Sequence, residues 1–292
     1  MQTNLDPYLT KQLRCVVLVE EKLEFFLVYE ELLIKWNKVH NLLSKASLSH
    51  ILTHHFLDSL SILPYIKGDY VLDVGCGTGV VAITAAQLGA RVTASDLTPE
   101  LVTRARENSA ISGFDIDFQI ADVEQLPYEN DKFDFVLSQF GHMFAPRAEL
   151  AVAEMLRVLK PGGVIAFSTW PPELLTGRLF ILTGKYGSPP PAGVSSPVDW
   201  GKVEVIRERL GAKVKHISFH RAQYGNPAMS PSHMRILLEK YIGPVTAVVK
   251  RLEEDNPDKL TLFRSEVDVL LGEYFENNTV IQSYLMTRGI KL

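Results

Sequence analysis

A glycine-rich turn after an apolar stretch carries the most direct chemistry that this sequence offers. Residues 71–79 read VLDVGCGTG, so that Gly75, Gly77 and Gly79 alternate with other residues after a stretch of strand character. Glycine reaches positive φ and lets the backbone approach a ligand closely. The apolar run of residues 80–86 then begins a helix, whose free N–H groups can bind an anionic group. The pattern therefore predicts a strand, a glycine loop and a helix that bind a ligand together.

Two acidic residues follow the next two predicted strands. Asp96 comes directly after residues 91–95, and Asp122 comes directly after residues 116–121. A carboxylate at the end of the second strand can accept both ribose hydroxyls of an adenosine group, in a dinucleotide or in another adenosyl cofactor. The glycines are spaced G-x-G-x-G, and Val80 stands where the dinucleotide fingerprint has glycine or alanine. These residues alone do not decide between a dinucleotide and another adenosyl cofactor as the ligand.

Three further motifs follow along the chain. Residues 126–128 read LPY, residues 133–138 read FDFVLS with strand character, and residues 154–163 read EMLRVLKPGG before another apolar strand. This order resembles that of the class I S-adenosylmethionine (SAM)-dependent methyltransferases, in the branch that includes the ubiquinone and menaquinone methyltransferases. The resemblance covers about residues 70–170. The alternative is a dinucleotide oxidoreductase or a Rossmann-like domain without a ligand.

The resemblance implies SAM as the cofactor, S-adenosylhomocysteine as the product, and a role for individual residues. In the family, the matches to the three glycines wrap the methionine part of SAM, the match to Asp96 holds the ribose hydroxyls, and the match to Asp122 holds the adenine amino group. The segment that matches residues 138–142 lies beneath the sulfonium. The implied cofactor-binding set is Asp73, Gly75, Cys76, Gly77, Thr78, Gly79, Asp96, Leu97, Asp122, Val123, Ser138 and Phe140.

One histidine lies in the loop of residues 138–144, which follows the fourth predicted strand. In open α/β sheets the ligand crevice lies beyond the carboxyl ends of the strands, so this loop should face the reacting methyl group. His142 is the candidate general base, and the other interpretation is a histidine that caps a helix or flanks the adenine. The loop lacks the Asn/Asp-Pro-Pro-aromatic motif of many amino-group methyltransferases, which disfavours methylation of an exocyclic adenine nitrogen.

A second resemblance lies upstream of the glycine loop. Residues 8–43 and 47–65 are predicted to be helical, because apolar residues recur there at three- and four-residue steps. Within them, KWNKVHNL at residues 35–42 and HFLDSL at residues 55–60 resemble the helical prologue of the guanine methyltransferases of small-subunit ribosomal RNA. The resemblance to the rRNA enzymes ends inside the glycine loop. The motifs that follow resemble those of the small-molecule methyltransferases.

The upstream helices have two possible roles. They either fasten a cap onto the edge of the sheet, or they place His54, His55 and Asp58 over the cofactor. Adjacent histidines followed by an acid suggest a metal site at first sight. Neighbouring residues on a helix point about 100° apart, however, and no further cluster of ligands stands near them in the sequence, so we predict no metal.

The composition is that of a globular protein without an extreme charge. Of 292 residues, 46% are hydrophobic and 22% are charged, and the net charge is −4, which disfavours nucleic acid as a partner. The two cysteines, Cys15 and Cys76, predict neither a disulfide framework nor a zinc cluster. The polar N-terminus does not read as a signal peptide, and charges interrupt every apolar stretch well before the ~20 residues of a membrane span. These features predict a soluble, cytoplasmic protein.

The second half of the chain departs from the usual pattern of this fold. Proline-rich segments bracket a short apolar run at residues 179–182, which favours a shaped loop. This loop is either a passive surface excursion or a lid over the substrate. Residues 230–275 separate the last two predicted strands, at residues 213–220 and 280–288, and they read as two or three helices.

The predicted fold is α/β, a Rossmann-like, seven-stranded class I methyltransferase sheet that is mostly parallel with an antiparallel last strand. A helical cap precedes the sheet, and a helical insert separates its last two strands. The predicted domains are a cap at residues 1–68, a SAM-binding core at 69–225 with a lid at 170–200, an insert at 226–278 and the final strand at 279–292.

The leading functional hypothesis is SAM-dependent methyl transfer to a small molecule by in-line displacement. The runner-up is an rRNA methyltransferase, which predicts a basic surface around the cofactor and salt-sensitive binding. The third is a SAM-binding protein without catalysis, in which the acceptor cavity is closed or filled. We expect the acceptor to be chosen by the cap, the lid and the insert, which are variable parts of the fold.

Overall fold

A mixed β-sheet runs through the part of the chain that this computed structural model describes, which is residues 70–189, 191 and 193–292. Gly68–Leu292 form a compact unit of their own. The predicted cap, with its resemblance to the rRNA enzymes and with His54, His55 and Asp58, lies outside the described residues.

The described sheet has eight strands in the order β3-β2-β1-β4-β5-β8-β6, and β7 pairs with β8 beside this path. Strands β1 to β5 are mutually parallel, whereas β8 is antiparallel to both β5 and β6. The strands are β1 Tyr70–Val74, β2 Arg91–Asp96, β3 Asp117–Ile120, β4 Phe133–Gln139, β5 Leu159–Thr169, β6 Val214–Pro227, β7 Phe275–Glu276 and β8 Thr279–Lys291. The prediction of a mostly parallel sheet with an antiparallel last strand is confirmed.

Five of the seven connections between the described strands contain α-helices. The described α-helices are α1 Val80–Gln87, α2 Pro99–Ser112, α3 Ala148–Val158, α4 Leu175–Tyr186, α5 Val203–Leu210, α6 Pro231–Tyr241, α7 Gly243–Asp255 and α8 Pro257–Gly272. Short 3₁₀ helices stand at His142–Phe144, Pro197–Gly201 and Gly211–Lys213. None of the helices described here is long and apolar enough to cross a membrane.

Two hydrophobic cores hold these elements together. The first lies against the centre of the sheet and buries Leu72, Phe133 and Ile165 together with the rings of Trp200 and Tyr284. The second joins α4 to the helices of the predicted insert, α6 to α8, through residues that include Phe263 and Val267 on α8. The helices of the predicted insert therefore pack onto α4 from one side.

The predicted shaped loop around residues 179–182 is wrong, because α4 occupies this part of the chain. Leu175, Leu179 and Tyr186 are buried on one face of α4 and pack into the second core. The prolines stand outside the ends of the helix, where they do not interrupt its hydrogen bonds. The proline-rich flanks therefore mark the two boundaries of a helix.

A short strand, β7, adds an eighth member to the seven predicted strands. It forms a hairpin with β8 in which Phe275 pairs with Val280 and Glu276 pairs with Thr279. The turn consists of Asn277 and Asn278, with φ of 49° and 57°. Asparagine tolerates this left-handed conformation, and two such residues in succession are typical of a type I′ hairpin.

Strand β6 is longer than the predicted residues 213–220. It runs from Val214 to Pro227 because β8 pairs with it along almost its whole length. The helices of the insert therefore leave from the far end of a long antiparallel pair. The domain boundaries given above remain predictions.

Candidate active site

The glycine loop connects β1 to α1 and packs directly on the loop that follows β4. Gly75 has φ of 64°, and a Cβ added to it would lie 2.6 Å from the Cα of Gly141. Gly77 has φ of 53°, and an added Cβ would meet nothing within 4 Å. The first glycine therefore allows two backbones to touch, whereas the second leaves open space on the ligand side of the loop.

The carboxylate of Asp96 is held in place by two backbone groups. Gly77 N–H donates to Oδ2 and Thr98 N–H donates to Oδ1, both at 2.9 Å. Each oxygen of an ionised carboxylate can accept more than one hydrogen bond, so both retain capacity for a ligand. Asp96 thus connects the glycine loop to the start of α2 and can still accept ribose hydroxyls.

Asp122 begins a turn that also places Glu124. Glu124 N–H donates to Oδ1 of Asp122 at 2.9 Å, and Glu124 accepts from Arg147 through the backbone N–H at 2.5 Å and through Nε at 2.6 Å. The Glu124 side chain is only 4% exposed, whereas that of Arg147 is 65% exposed. This ion pair connects the loop after β3 to the start of α3. Neither Glu124 nor Arg147 belongs to the predicted site residues.

A cavity of about 830 Å³ lies at the carboxyl ends of the parallel strands, which is within the size range of small-molecule sites. The predicted site residues that line it are Gly75, Gly77, Asp96, Leu97, Asp122, Val123, Phe140 and His142. The lining residues that were not predicted are Val74, Thr98, Leu101, Ala121, Glu124, Gln139, Gly141, Phe144, Ala145, Pro146, Arg147, Gly193 and Val194. Six of these thirteen residues directly adjoin a predicted site residue in sequence, so widening each motif by one position would have found them, whereas the other seven stand farther from any motif.

Asp73 is a predicted site residue that does not line this cavity. Its carboxyl group is almost completely buried. Burial raises its pKa to about 7, the backbone N–H of Ala82 partly offsets this rise, and the nearby charge of Asp96 adds to it. Near neutral pH the carboxyl group beneath the glycine loop is therefore balanced between its neutral and charged forms.

Cys76, Thr78, Gly79 and Ser138 are predicted site residues that do not line this cavity either. Burial raises the pKa of the Cys76 thiol, which keeps it protonated and unreactive at neutral pH. The Ser138 hydroxyl donates to the Val74 carbonyl oxygen at 2.6 Å and accepts from His142 N–H at 3.1 Å. Ser138 therefore connects the end of β1 to the loop after β4.

The other two residues of this group support the loop through α2. Thr78 accepts a hydrogen bond from Asn108 Nδ2 at its carbonyl oxygen, at 2.9 Å. A Cβ on Gly79 would lie 3.2 Å from the Cβ of Ala105. The hydrogen bond and the close approach at Gly79 place the loop against α2.

The imidazole ring of His142 is buried between two aromatic rings. Its centroid lies 4.6 Å from that of Phe167 and 4.5 Å from that of Trp200. Burial, together with the charge of Arg209, lowers the pKa of His142 to about 3, so the ring is neutral at physiological pH. Within the described residues, neither ring nitrogen has a hydrogen-bond partner. His142 borders the cavity, and its role as a general base stays a prediction.

Phe140 forms the aromatic wall of the cavity. It has φ of 62°, an unfavourable value for a residue with a Cβ, at the end of β4. Its ring stacks on Trp170 with centroids 3.9 Å apart and an interplanar angle of 7°, and Tyr284 contacts it edge-on at 5.5 Å. These contacts stabilise a strained backbone beside the cavity, as is typical of functional sites.

Two family models match this chain. The model described as "Methyltransferase domain" matches residues 71–163, and the model described as "rRNA small subunit methyltransferase G" matches residues 22–96. The first spans the glycine loop, both predicted acids and the loop after β4. The second spans the upstream region and ends at Asp96.

Relatives match over larger and smaller parts of the chain. The "Uncharacterized protein Rv1403c" of Mycobacterium tuberculosis is 35% identical over 224 residues, which is 75% of this chain and 80% of that protein. The ubiquinone biosynthesis O-methyltransferase of Xanthomonas euvesicatoria pv. vesicatoria is 41% identical over 123 residues, which is 41% of this chain and 51% of that enzyme.

A solved structure shares the fold. Phosphoethanolamine N-methyltransferase 2 of Haemonchus contortus, in complex with phosphomonomethylethanolamine and S-adenosylhomocysteine, matches with a TM-score of 0.51 and 19% identity. The match covers 81% of this chain and 52% of that one. At this identity the match shows the shared fold, and the family models and the sequence relatives confirm the predicted family and cofactor. The chain belongs to the class I SAM-dependent methyltransferases, and it is an enzyme that uses SAM.

Proposed function

We propose that this enzyme transfers the methyl group of SAM to a small-molecule acceptor. The observation that carries the proposal is the cavity at the carboxyl ends of the strands, which the glycine loop, Asp96 and Asp122 border on one side. The aromatic wall at Phe140 and the lid residue Val194 border it on another side. A concave site of this size suits a small molecule, and the relatives named for small-molecule methylation support this choice.

The residues of the cavity fit the adenosyl part of SAM. Asp96 is already oriented by two N–H donors, so it would accept the ribose hydroxyls without rearrangement. Asp122 lies at the same edge of the sheet and would accept a hydrogen bond from the adenine amino group. The open face of Gly77 leaves room for the methionine part. Each of these assignments is part of the proposal.

Bound SAM supplies a methyl carbon on a positively charged sulfur, and that carbon bonds to a lone pair of the acceptor while the carbon–sulfur electron pair stays on sulfur. The protein contributes mainly alignment and the exclusion of water. The loop after β4 would set the position of the reacting methyl group through Phe140, and Val194 of the lid would cover it. An acceptor that loses a proton passes it either to water or to a base, for which His142 is the candidate.

Methylation of rRNA is the second candidate function. The match of residues 22–96 to the model of an rRNA small-subunit methyltransferase favours it. Its substrate would be small ribosomal subunits, and its binding would weaken steeply with salt because counterions are released when RNA binds.

Radioactive methyl-labelled SAM tests the two candidates in one experiment. The full chain is incubated with the low-molecular-mass fraction of a cell extract and, separately, with small ribosomal subunits at low and high salt. We expect label in the low-molecular-mass fraction and none in rRNA. Label that appears only in rRNA, and that decreases as the salt is raised, would overturn the small-molecule proposal.

A further inference from the structure

A second cavity of about 620 Å³ lies beside the cofactor cavity. The two cavities share Phe144 and Val194 as walls. The remaining walls of the second cavity come from α4, from the lid residues after α4, and from α7 of the insert. It therefore begins at the loop that we assign to the reacting methyl group and extends away from the adenosyl side of the site.

The walls of the second cavity are mainly apolar. Phe180 and Ile181 project from α4, Ala247 and Val248 from α7, and Val198 from the lid. Ile181 is 54% exposed and Phe144 is 52% exposed, which is unusual for apolar side chains of this size that face a concave surface. An apolar ligand would remove these side chains from water, which favours its binding.

An aromatic pair stands at the junction of the two cavities. The rings of Phe144 and Phe180 contact edge to face, with their centroids 5.9 Å apart. Phe144 belongs to the 3₁₀ helix that follows Phe140, so one short segment of the chain borders both cavities. A molecule in the second cavity would therefore present one end to the loop that faces the methyl group.

Arg251 places a positive charge in the wall of the second cavity. Its guanidinium group donates to the Tyr186 carbonyl oxygen and, at 3.1 Å, to the Ser188 hydroxyl. Both of these acceptors are neutral, so these contacts leave the charge of Arg251 available to an anionic group. The cavity thus combines apolar walls with one cation.

We infer that the second cavity is the acceptor site and that the acceptor is an amphipathic molecule with an apolar body and an anionic group. The apolar body lies between α4 and α7, the anionic group pairs with Arg251, and the nucleophilic atom reaches the junction at Phe144 and Val194. A lone pair of that atom forms the new bond to the methyl carbon, the carbon–sulfur pair remains on sulfur, and any proton leaves to water. This inference rests on the proposed function.

Two fluorescent probes test the inference on the full chain saturated with S-adenosylhomocysteine. Anilinonaphthalene sulfonate has an apolar body and an anionic group, and N-phenylnaphthylamine has the same body without the charge. We expect both probes to bind, and we expect decanoate to displace them where butyrate does not. Failure of both probes to bind the wild-type chain, or equal displacement by both acids, would overturn the inference.

A pair of glycine substitutions locates the probes. A Cβ at Gly184, on the wall of the second cavity, would meet nothing within 4 Å, so Gly184→Trp fills the cavity without displacing the backbone. Gly272, at the end of α8 and outside the cavity lining, has equally open surroundings and provides the matched control, Gly272→Trp. We expect Gly184→Trp to weaken both probes by roughly tenfold or more, and Gly272→Trp to leave them unchanged. Equal affinities in the two variants would place the probes elsewhere and overturn the inference.

Arg251→Met tests the anionic group. We expect it to weaken the sulfonate probe by roughly tenfold and to leave the uncharged probe unchanged, and Arg251→Lys to restore part of the loss. Equal effects on both probes would show that Arg251 does not pair with the sulfonate, and they would overturn the assignment of an anionic group to the acceptor. Calorimetry of S-adenosylhomocysteine binding separates the two levels of the proposal, because loss of that binding in the wild-type chain contradicts the proposed function itself, whereas loss of probe binding alone contradicts only the acceptor site.

Discussion

At the scale of single residues, Asp73 connects the stability of the protein to pH. Its pKa is raised from 3.8 to about 7 in the folded protein. Between these two values the folded state keeps a proton that the unfolded state has lost. The free energy of unfolding therefore falls as the pH rises through this window, and it is constant with respect to this group above the window.

Asp73→Asn should remove this dependence. In the absence of SAM, we expect the wild type to lose of the order of 1–3 kcal/mol relative to Asp73→Asn between about pH 5 and about pH 8. Urea unfolding of both proteins at the two pH values measures the difference. Asp117→Asn, on an exposed carboxyl group, is the control. A difference that does not change with pH would contradict the raised pKa.

The two N–H bonds to Asp96 suggest a second substitution. Asp96→Ala removes the proposed partner of the ribose hydroxyls, and we expect it to weaken SAM binding by about 1.5–3 kcal/mol, the range for hydrogen bonds to a charged group. Calorimetric titration measures this change, with Asp117→Ala as the control and a nicotinamide dinucleotide as the comparison ligand. An unchanged affinity for SAM would show that Asp96 does not bind the ribose hydroxyls.

His142 is tested best by a variant that keeps its packing. His142→Phe preserves the ring between Phe167 and Trp200 but removes both nitrogens. Since an imidazole with a pKa of about 3 is a weak base, we expect turnover to be largely retained and SAM affinity to be unchanged. A loss of turnover of about 10²–10⁴-fold, with intact SAM binding, would show that His142 is the general base.

At the scale of elements, substitutions at two glycines of the same loop should affect different properties, ligand binding at Gly77 and stability at Gly75. Gly77→Val strains a residue with φ of 53°, at a cost of about 1–2 kcal/mol, but meets no neighbouring atom, so its side chain enters the space for the ligand. We expect it to abolish SAM binding and to leave the fold largely intact. Circular dichroism and calorimetry measure the two properties.

Gly75→Val is the matched comparison within the same loop. Its side chain would collide with the backbone of Gly141, already 2.6 Å from the first added atom. We expect it to lower the melting temperature by more than Gly77→Val does, because the two loops must separate. Equal melting temperatures for the two variants would contradict the close packing of these loops.

The same scale shows why some elements were predicted from the sequence and others were not. The sequence marks the ends of helix α2 locally, with Pro99 at its first position and Gly113 directly after its last residue. The sequence around α4 gives two conflicting signals. The flanking prolines favour a loop, whereas the spacing of Leu175, Leu179 and Tyr186 favours a helix. The burial of that face depends on the insert helices, which lie far along the chain.

At the scale of the whole molecule, the sheet brings residues together that no local pattern connects. Phe140, which lines the cavity, packs against Trp170 and Tyr284, although the three residues lie on different strands or directly after them. Glu124 and Arg147 pair across two loops in the same way. The cofactor side of the site follows from short motifs, and could therefore be predicted from the sequence, whereas these contacts depend on the tertiary fold.

The proposed acceptor side also depends on the whole described unit. Its cavity is built from the 3₁₀ helix at His142–Phe144, from α4 and from α7, which come from three separate parts of the chain. The sequences of α4 and α7 do not indicate which elements these helices pack against. The chemistry of the acceptor can therefore be inferred only once these elements are placed around one space.

A crystal structure of the full chain with S-adenosylhomocysteine tests the central claim most directly, because it locates the cofactor atom by atom. We expect the ribose hydroxyls on the carboxylate of Asp96, the adenine amino group at Asp122, the methionine part over Gly77, and the sulfur facing Phe140. A cofactor bound elsewhere, or one whose ribose does not contact Asp96, would contradict the account.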